Sequence, residues 1–262
     1  MFLIILYVYR LVKDDDKMEL DNRMREIYSR QIMMKEIGSK GQQILAGSSV
    51  LVVGCGGLGA PVLYYLTAMG IGHLGLCDGD VVSFTNLNRQ ILFTMDDIFQ
   101  PKASTAKKRL LALNPKLKVN SYDQLMDAGL AEAIVPVFDI VVDCLDNFNT
   151  RFILNDACIA AGKPLVHAGV EEFCGQLITI TPGKGPCLRC LFPNGIKEKE
   201  PKKPSGVIGP TPGVIGAMQA LEAAKYLLGL PVSNDGMVTY DGLNMTLEKV
   251  EIAANPDCMC RK

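Results

Sequence analysis

The chain has 262 residues, 48% of them hydrophobic, enough to bury one large core or two small ones. Its 27 Lys and Arg nearly balance 28 Asp and Glu, so it lacks the basic field of a nucleic-acid binder and has no run of like charge long enough to serve as a binding tail. A protein or a small molecule is the expected partner, not nucleic acid or a membrane.

The apolar run Phe2 to Tyr9 is far shorter than the roughly 20 residues that span a bilayer, and no small-residue cleavage site follows it. Residues 1–18 are therefore expected to be an N-terminal extension, disordered or a mis-assigned start, with a short N-terminal strand as the alternative. Residues 19–262 are expected to form the working unit, nucleotide-binding over 19–170 and partner-binding over 171–262.

Apolar positions at Met24, Ile27, Met34 and Ile37 predict an amphipathic helix over 20–37, ended by Gly38. Ser49 to Val53 reads as a buried strand, Gly54-Cys-Gly-Gly-Leu-Gly59 as a turn, and Pro61 to Met69 as a helix. A strand follows over His73 to Cys77, a helix over Pro101 to Leu113, and strands over Lys118 to Tyr122 and Ile140 to Asp143. After a helix over Arg151 to Ala161 and a strand over Leu165 to His167, the segments Gln176 to Thr181, Met237 to Tyr240 and Thr246 to Ile252 read as antiparallel strands. The expected fold class is α/β: a Rossmann-like, mostly parallel sheet with helices on both faces, followed by an antiparallel portion. Gly195 to Gly206, rich in Lys, Glu and Pro, reads as an exposed loop.

Nine scattered cysteines without a secretory signal point to a reducing, cytoplasmic location. Cys55, Cys77, Cys144, Cys158 and Cys174 each sit in or beside an apolar run and are expected to behave as small buried hydrophobes.

Gly54, Gly56 and Gly59 satisfy G-x-G-x-x-G between a strand and a helix, where backbone amides can approach phosphate at the positive helix end. Asp78 then ends the next strand, the place of a ribose-binding acid in nicotinamide enzymes, so an NAD-dependent oxidoreductase is one reading. The loop Asp78 to Gln90 adds a second acid, an amide and Arg89, which a nicotinamide site does not need. Arg89 and Lys102 together suit the charge that develops on a leaving pyrophosphate, and Asp146 suits magnesium. Each alone would read as a solvated surface charge.

These motifs make the sequence resemble the ubiquitin-activating-enzyme-like adenylyltransferases, the ThiF/MoeB/HesA family. The resemblance runs from about Arg25 to the C-terminus through Tyr28-Ser-Arg-Gln31, the glycine turn, Asp78 to Gln90, Gln100-Pro-Lys102, Asp143-Cys-Leu-Asp-Asn147, Pro186-Cys-Leu-Arg-Cys190 and Gly213-Val-Ile-Gly216. It implies Gly57 and Asp78 as nucleotide contacts, and Asn86, Arg89 and Lys102 as binders of ribose or phosphate. Asp146 is implied as the magnesium-linked catalytic acid, with Asn147 beside it in the cofactor site. Arg30 would complete the site from the second subunit of a homodimer. The implied reaction is ATP-dependent adenylylation of the C-terminal glycine carboxylate of a ubiquitin-like sulfur-carrier protein, in thiamine or molybdopterin biosynthesis. Activation of another carboxylate is the alternative.

Cys187 and Cys190 form C-x-x-C, and Cys258 with Cys260 would complete a four-thiolate zinc site, which the resemblance favours over ordinary thiols. The second pair, Cys258-Met-Cys260, is one residue shorter than the family pattern. Residues 195–214 contain no cysteine, so the enzyme is expected to stop at the acyl-adenylate.

Overall fold

The computed structural model of the protein describes residues 20–193, 195 and 206–261. The expectations for residues 1–18 and for most of the 195–206 loop lie outside the described residues. Eight strands form one sheet: β1 (Ser49–Val53), β2 (His73–Cys77), β3 (Lys118–Tyr122), β4 (Ile140–Asp143), β5 (Leu165–Glu171), β6 (Cys174–Ile180), β7 (Gly236–Asp241) and β8 (Thr246–Glu251). Their order is β3-β2-β1-β4-β5-β6-β7-β8. The first five pair in parallel, and β5 to β8 pair antiparallel. The expected fold class is what the chain adopts.

The apolar runs explain this arrangement. In β1, Val50 and Val52 pack into one core cluster while Leu51 and Val53 pack into another on the opposite face, so period-two alternation buries both sides of the strand. One cluster receives α3 (Gly38–Gly47), α4 (Gly59–Ala68), α5 (Lys102–Leu113) and α9 (Pro210–Leu227). The other receives α6 (Ala128–Ile134), α7 (Phe148–Ala161) and the short α8 (Leu188–Leu191).

Three expectations need correction. The single helix over 20–37 is two short ones, α1 (Asn22–Ile27) and α2 (Ser29–Ile32), and a turn then leads into α3. Gly38 does not end a helix there; at φ +57° it takes the bend that opens α3. The helices α6 and α9 were not anticipated. Cys55, Cys77, Cys144 and Cys158 are buried as expected, but Cys174 is exposed, because it opens β6 at the hairpin end before that strand enters the core.

Candidate active site

The chain runs β1, β2, β3 outward in one direction and then returns to place β4 on the other side of β1. The crevice beyond β1 and β4 is thus the topological switch point, where ligands bind open α/β sheets. The glycine turn leaves β1 and the Asp143 to Asn147 turn leaves β4, so both fall at this crevice. Gly54 is at φ +97°, and a side chain on it would bring its Cβ to 2.5 Å from the carbonyl oxygen of Cys144. A Cβ on Gly59 would overlap the carbonyl oxygen of Gly54. Glycine here lets the turn fold back on itself and the neighbouring strand end approach it.

The post-β2 loop folds over this turn. A Cβ on Gly57 would lie 3.6 Å from Arg89 Cγ and 3.4 Å from Pro212, so the second half of the glycine motif, Arg89 and the start of α9 meet at one place. Arg89 is half-buried, and its guanidinium donates to the Thr85 carbonyl at 2.8 Å and to Asn88 Oδ1 at 3.0 Å. Asn86 is buried; its Oδ1 accepts from the Ser83 amide at 3.0 Å and holds the loop, leaving its NH2 end to donate.

Asp78 Oδ2 accepts the Cys55 amide at 2.7 Å, and Oδ1 accepts the Asp80 amide at 2.9 Å, so this acid joins the glycine turn to the following loop. Burial raises its pKa, against the opposing pull of the Lys102 ammonium and those two amides. Lys102, in the first turn of α5, is 5% exposed, and its Nζ donates to Asp80 Oδ2 at 2.9 Å. Burial also pushes the Cys55 and Cys144 thiols well up, which leaves both as inert neutral groups around the crevice.

Asp146 is exposed just past β4 and has no hydrogen bond or ion pair to any described residue. A free carboxylate of this kind fits magnesium, which takes one or two protein carboxylates together with substrate phosphates. Asn147 is also exposed, and its side chain is engaged as the N-cap of α7, accepting the Thr150 amide at 2.9 Å. Arg30 does not join this cluster. It is exposed on α2, whose Gln31 donates to the Met69 carbonyl at 3.0 Å, at the C-terminal end of α4. The glycine turn lies at the other end of that helix, about 15 Å away at 1.5 Å per residue.

Beneath the Asp146 turn lies a buried network that sequence reasoning missed. Asp143 and His167 are fully buried and Arg151 nearly so; His167 Nδ1 lies 2.6 Å and Arg151 Nε 3.8 Å from Asp143 Oδ2. Burial lowers the His167 pKa despite the adjacent carboxylate, which favours the neutral ring. The available signal was an acid closing one apolar strand and a histidine inside the next.

The four cysteines converge. Their sulfurs all lie within 4.8 Å of one another, with Cys187 to Cys190 at 4.0 Å, Cys187 to Cys258 at 3.5 Å and Cys190 to Cys260 at 3.5 Å. Tetrahedral zinc with bonds of about 2.3 Å separates its sulfurs by about 3.8 Å, so the cluster fits zinc. The shortened Cys258-Met-Cys260 pair reaches because a 3-10 turn, Met259–Arg261, curls both thiols inward.

Among the described residues no helix is long and apolar enough to cross a membrane. The model of the ThiF family matches residues 28–261. The chain is 43% identical over 247 residues to the SAMP-activating enzyme E1 of Haloferax volcanii, covering 92% of this chain and 90% of that one. It is 41% identical over 256 residues to the sulfur carrier protein adenylyltransferase of Thermus thermophilus, with the same coverages. The solved structure of E. coli MccB with ATP superposes with a TM-score of 0.80 at 25% identity, covering 93% of this chain and 75% of that one. With a switch-point crevice, a glycine turn and these relatives, the chain belongs to the ThiF family and is an adenylyltransferase.

Proposed function

We propose that the protein uses ATP and magnesium to adenylylate the C-terminal glycine carboxylate of a ubiquitin-like sulfur-carrier protein ending in Gly-Gly. The observation that carries this reading is the convergence of the glycine turn, Asp78, Arg89 and Lys102 at one crevice, with Asp146, unpaired among the described residues, leaving the neighbouring strand. Such a set suits a triphosphate better than a nicotinamide. The named relatives act on sulfur carriers and SAMP, which favours a protein tail as the carboxylate donor.

In this reading a carboxylate oxygen of the carrier's terminal glycine attacks the α-phosphorus, an acyl–O–P bond forms, and the bond to the β-phosphate oxygen breaks to release pyrophosphate. The nucleophile is already charged and the leaving group is good, so positioning and charge neutralisation dominate. Backbone amides of the Gly54 to Gly59 turn cradle phosphate, Asp78 and Asn86 hold the ribose, and Arg89 and Lys102 balance the charge on departing pyrophosphate. Asp146, with Asn147 beside it, would hold magnesium, which would supply further charge neutralisation.

Arg30, on α2 beside the far end of α4, is too distant to serve its own crevice, so we place it in the partner's site of a symmetric homodimer. Zinc on Cys187, Cys190, Cys258 and Cys260 is structural, since four thiolates leave no open position. The free thiols fit a reducing cytoplasm, and the carrier belongs to thiamine or molybdopterin assembly. ATP–pyrophosphate exchange tests the reaction: it should require both magnesium and a Gly-Gly-terminated carrier, and exchange without carrier dependence would refute it. Capture of Gly-Gly-ended proteins from the native cell with ATP present would identify the pathway.

A further inference from the structure

Asp143, Arg151 and His167 carry ionisable side chains with 0%, 7% and 0% exposure. Two of their nitrogens, Arg151 Nε and His167 Nε2, are buried without a hydrogen-bond partner among the described residues. Buried polar atoms are normally paired, and replacing a buried ionic cluster by apolar residues of similar volume is often neutral or stabilising. A buried network of this kind is therefore weak evidence of a stabilising role and invites another.

What the network holds is backbone. Asp143 Oδ1 accepts the Leu145 amide at 3.0 Å. A terminal nitrogen of Arg151 donates to the Leu145 carbonyl and, at 3.0 Å, to the Ala168 carbonyl. Gln219 Nε2 donates to the Asp143 carbonyl at 2.8 Å, and the Cys144 amide donates to the Val53 carbonyl at 2.8 Å. Both polar groups of the peptide residue before Asp146 are thus fixed by buried charged side chains. Because Arg151 stands in the first turn of α7, it ties that helix back to the end of β4 across the Asp146 turn. The Asp146 side chain has no anchor of its own among the described residues, so its position is set through this backbone.

We propose that Arg151, supported by Asp143 and His167, is a positioning residue that holds the Asp146 turn in its reactive geometry. The inference rests on the adenylylation reading and on the role given there to Asp146. A misplacement of about 1 Å at a reacting centre can cost about 100-fold in rate, so a loosened turn should be visible in turnover.

The test is a double-mutant cycle on the full chain with ATP, magnesium and a Gly-Gly-terminated carrier, read as pyrophosphate exchange. Arg151→Lys keeps the positive charge opposite Asp143 but cannot reach both carbonyls. It should lower kcat by about 10-fold or more while leaving both KM values within about threefold. In an Asp146→Asn background the same change should cost nothing further, because the group it positions is already disabled. His167→Gln, which keeps a donor toward Asp143, should follow the same pattern more weakly, and it carries the cycle if Arg151→Lys does not fold. Losses that multiply in the double variant, a change confined to the carrier KM, or a kcat loss that merely tracks unfolding would overturn the clamp. An Asp146→Asn variant with unmodified activity would instead overturn the proposed role of Asp146, and absence of exchange in the unmodified protein would overturn both.

Discussion

Lys102→Met separates chemistry from folding at one residue. Lys102 is buried, yet Asp80, its ion-pair partner among the described residues, has a side chain 65% exposed. A pair with so wet a partner contributes about 1 kcal/mol or less to stability. Methionine keeps the unbranched stem and most of the volume, and such swaps cost under about 1.5 kcal/mol, a fall of about 5 °C at most in melting temperature for a chain of this size. The catalytic loss is larger. Removing a preorganised group that meets charge developing in the transition state costs about 3 kcal/mol, or roughly 150-fold in rate. Exchange measured beside thermal melting should therefore show activity falling by about 100-fold while the fold persists. A well-folded variant exchanging at the unmodified rate would refute the placement of Lys102 at the phosphates.

Asp78→Asn should change how stability depends on pH. The folded-state pKa of Asp78 is raised by burial, so its stabilising contribution is full below the ordinary value of 3.8 and is lost as pH rises through the folded value. The variant does not titrate, but it keeps one acceptor oxygen where two backbone amides now donate and so loses one of those bonds. The melting difference between variant and unmodified protein should therefore move in the variant's favour as pH rises above about 4; a difference independent of pH would contradict the burial argument. The KM for ATP should rise in the same variant. Cys187→Ser should lower both zinc content and melting temperature, and a metal-free protein with unchanged melting would remove zinc from the account. Inactive Arg30→Ala and Asp146→Ala subunits, mixed to form heterodimers, should regain part of the activity through the one intact composite site; heterodimers that stay inactive would end the shared-site proposal.

The strands were the most legible part of the fold, and for a physical reason. Ser49 to Val53 and Ile140 to Asp143 are buried on both faces, and continuous apolar runs too short for a helix, set between turn residues, mark such strands. Helix boundaries were less so. Gly38 looks like a stop because glycine favours helix ends, yet its positive φ serves to begin α3. Pro212, Gly213 and Gly216 masked α9, although Gly216 is there to let α9 approach the Leu58 carbonyl at the start of α4. Within the site, residues on post-strand loops could be named from motif spacing, and the structure sets Gly57 beside Arg89 and joins Asp78 to the glycine turn and, through the Asp80 loop, to Lys102. The Asp143, Arg151 and His167 network was hidden because no local pattern announces that three distant polar residues share a dry interior.

Conversion of a carrier's terminal carboxylate to an acyl-adenylate at this crevice can be read from the intact mass of the carrier after brief incubation with enzyme, ATP and magnesium. The carrier should become heavier by one AMP moiety, a gain absent when the terminal glycine is deleted or amidated and absent with Asp146→Ala. A carrier that stays unmodified while the enzyme is folded and nucleotide-loaded, or one that gains AMP with its C-terminus blocked, would contradict it.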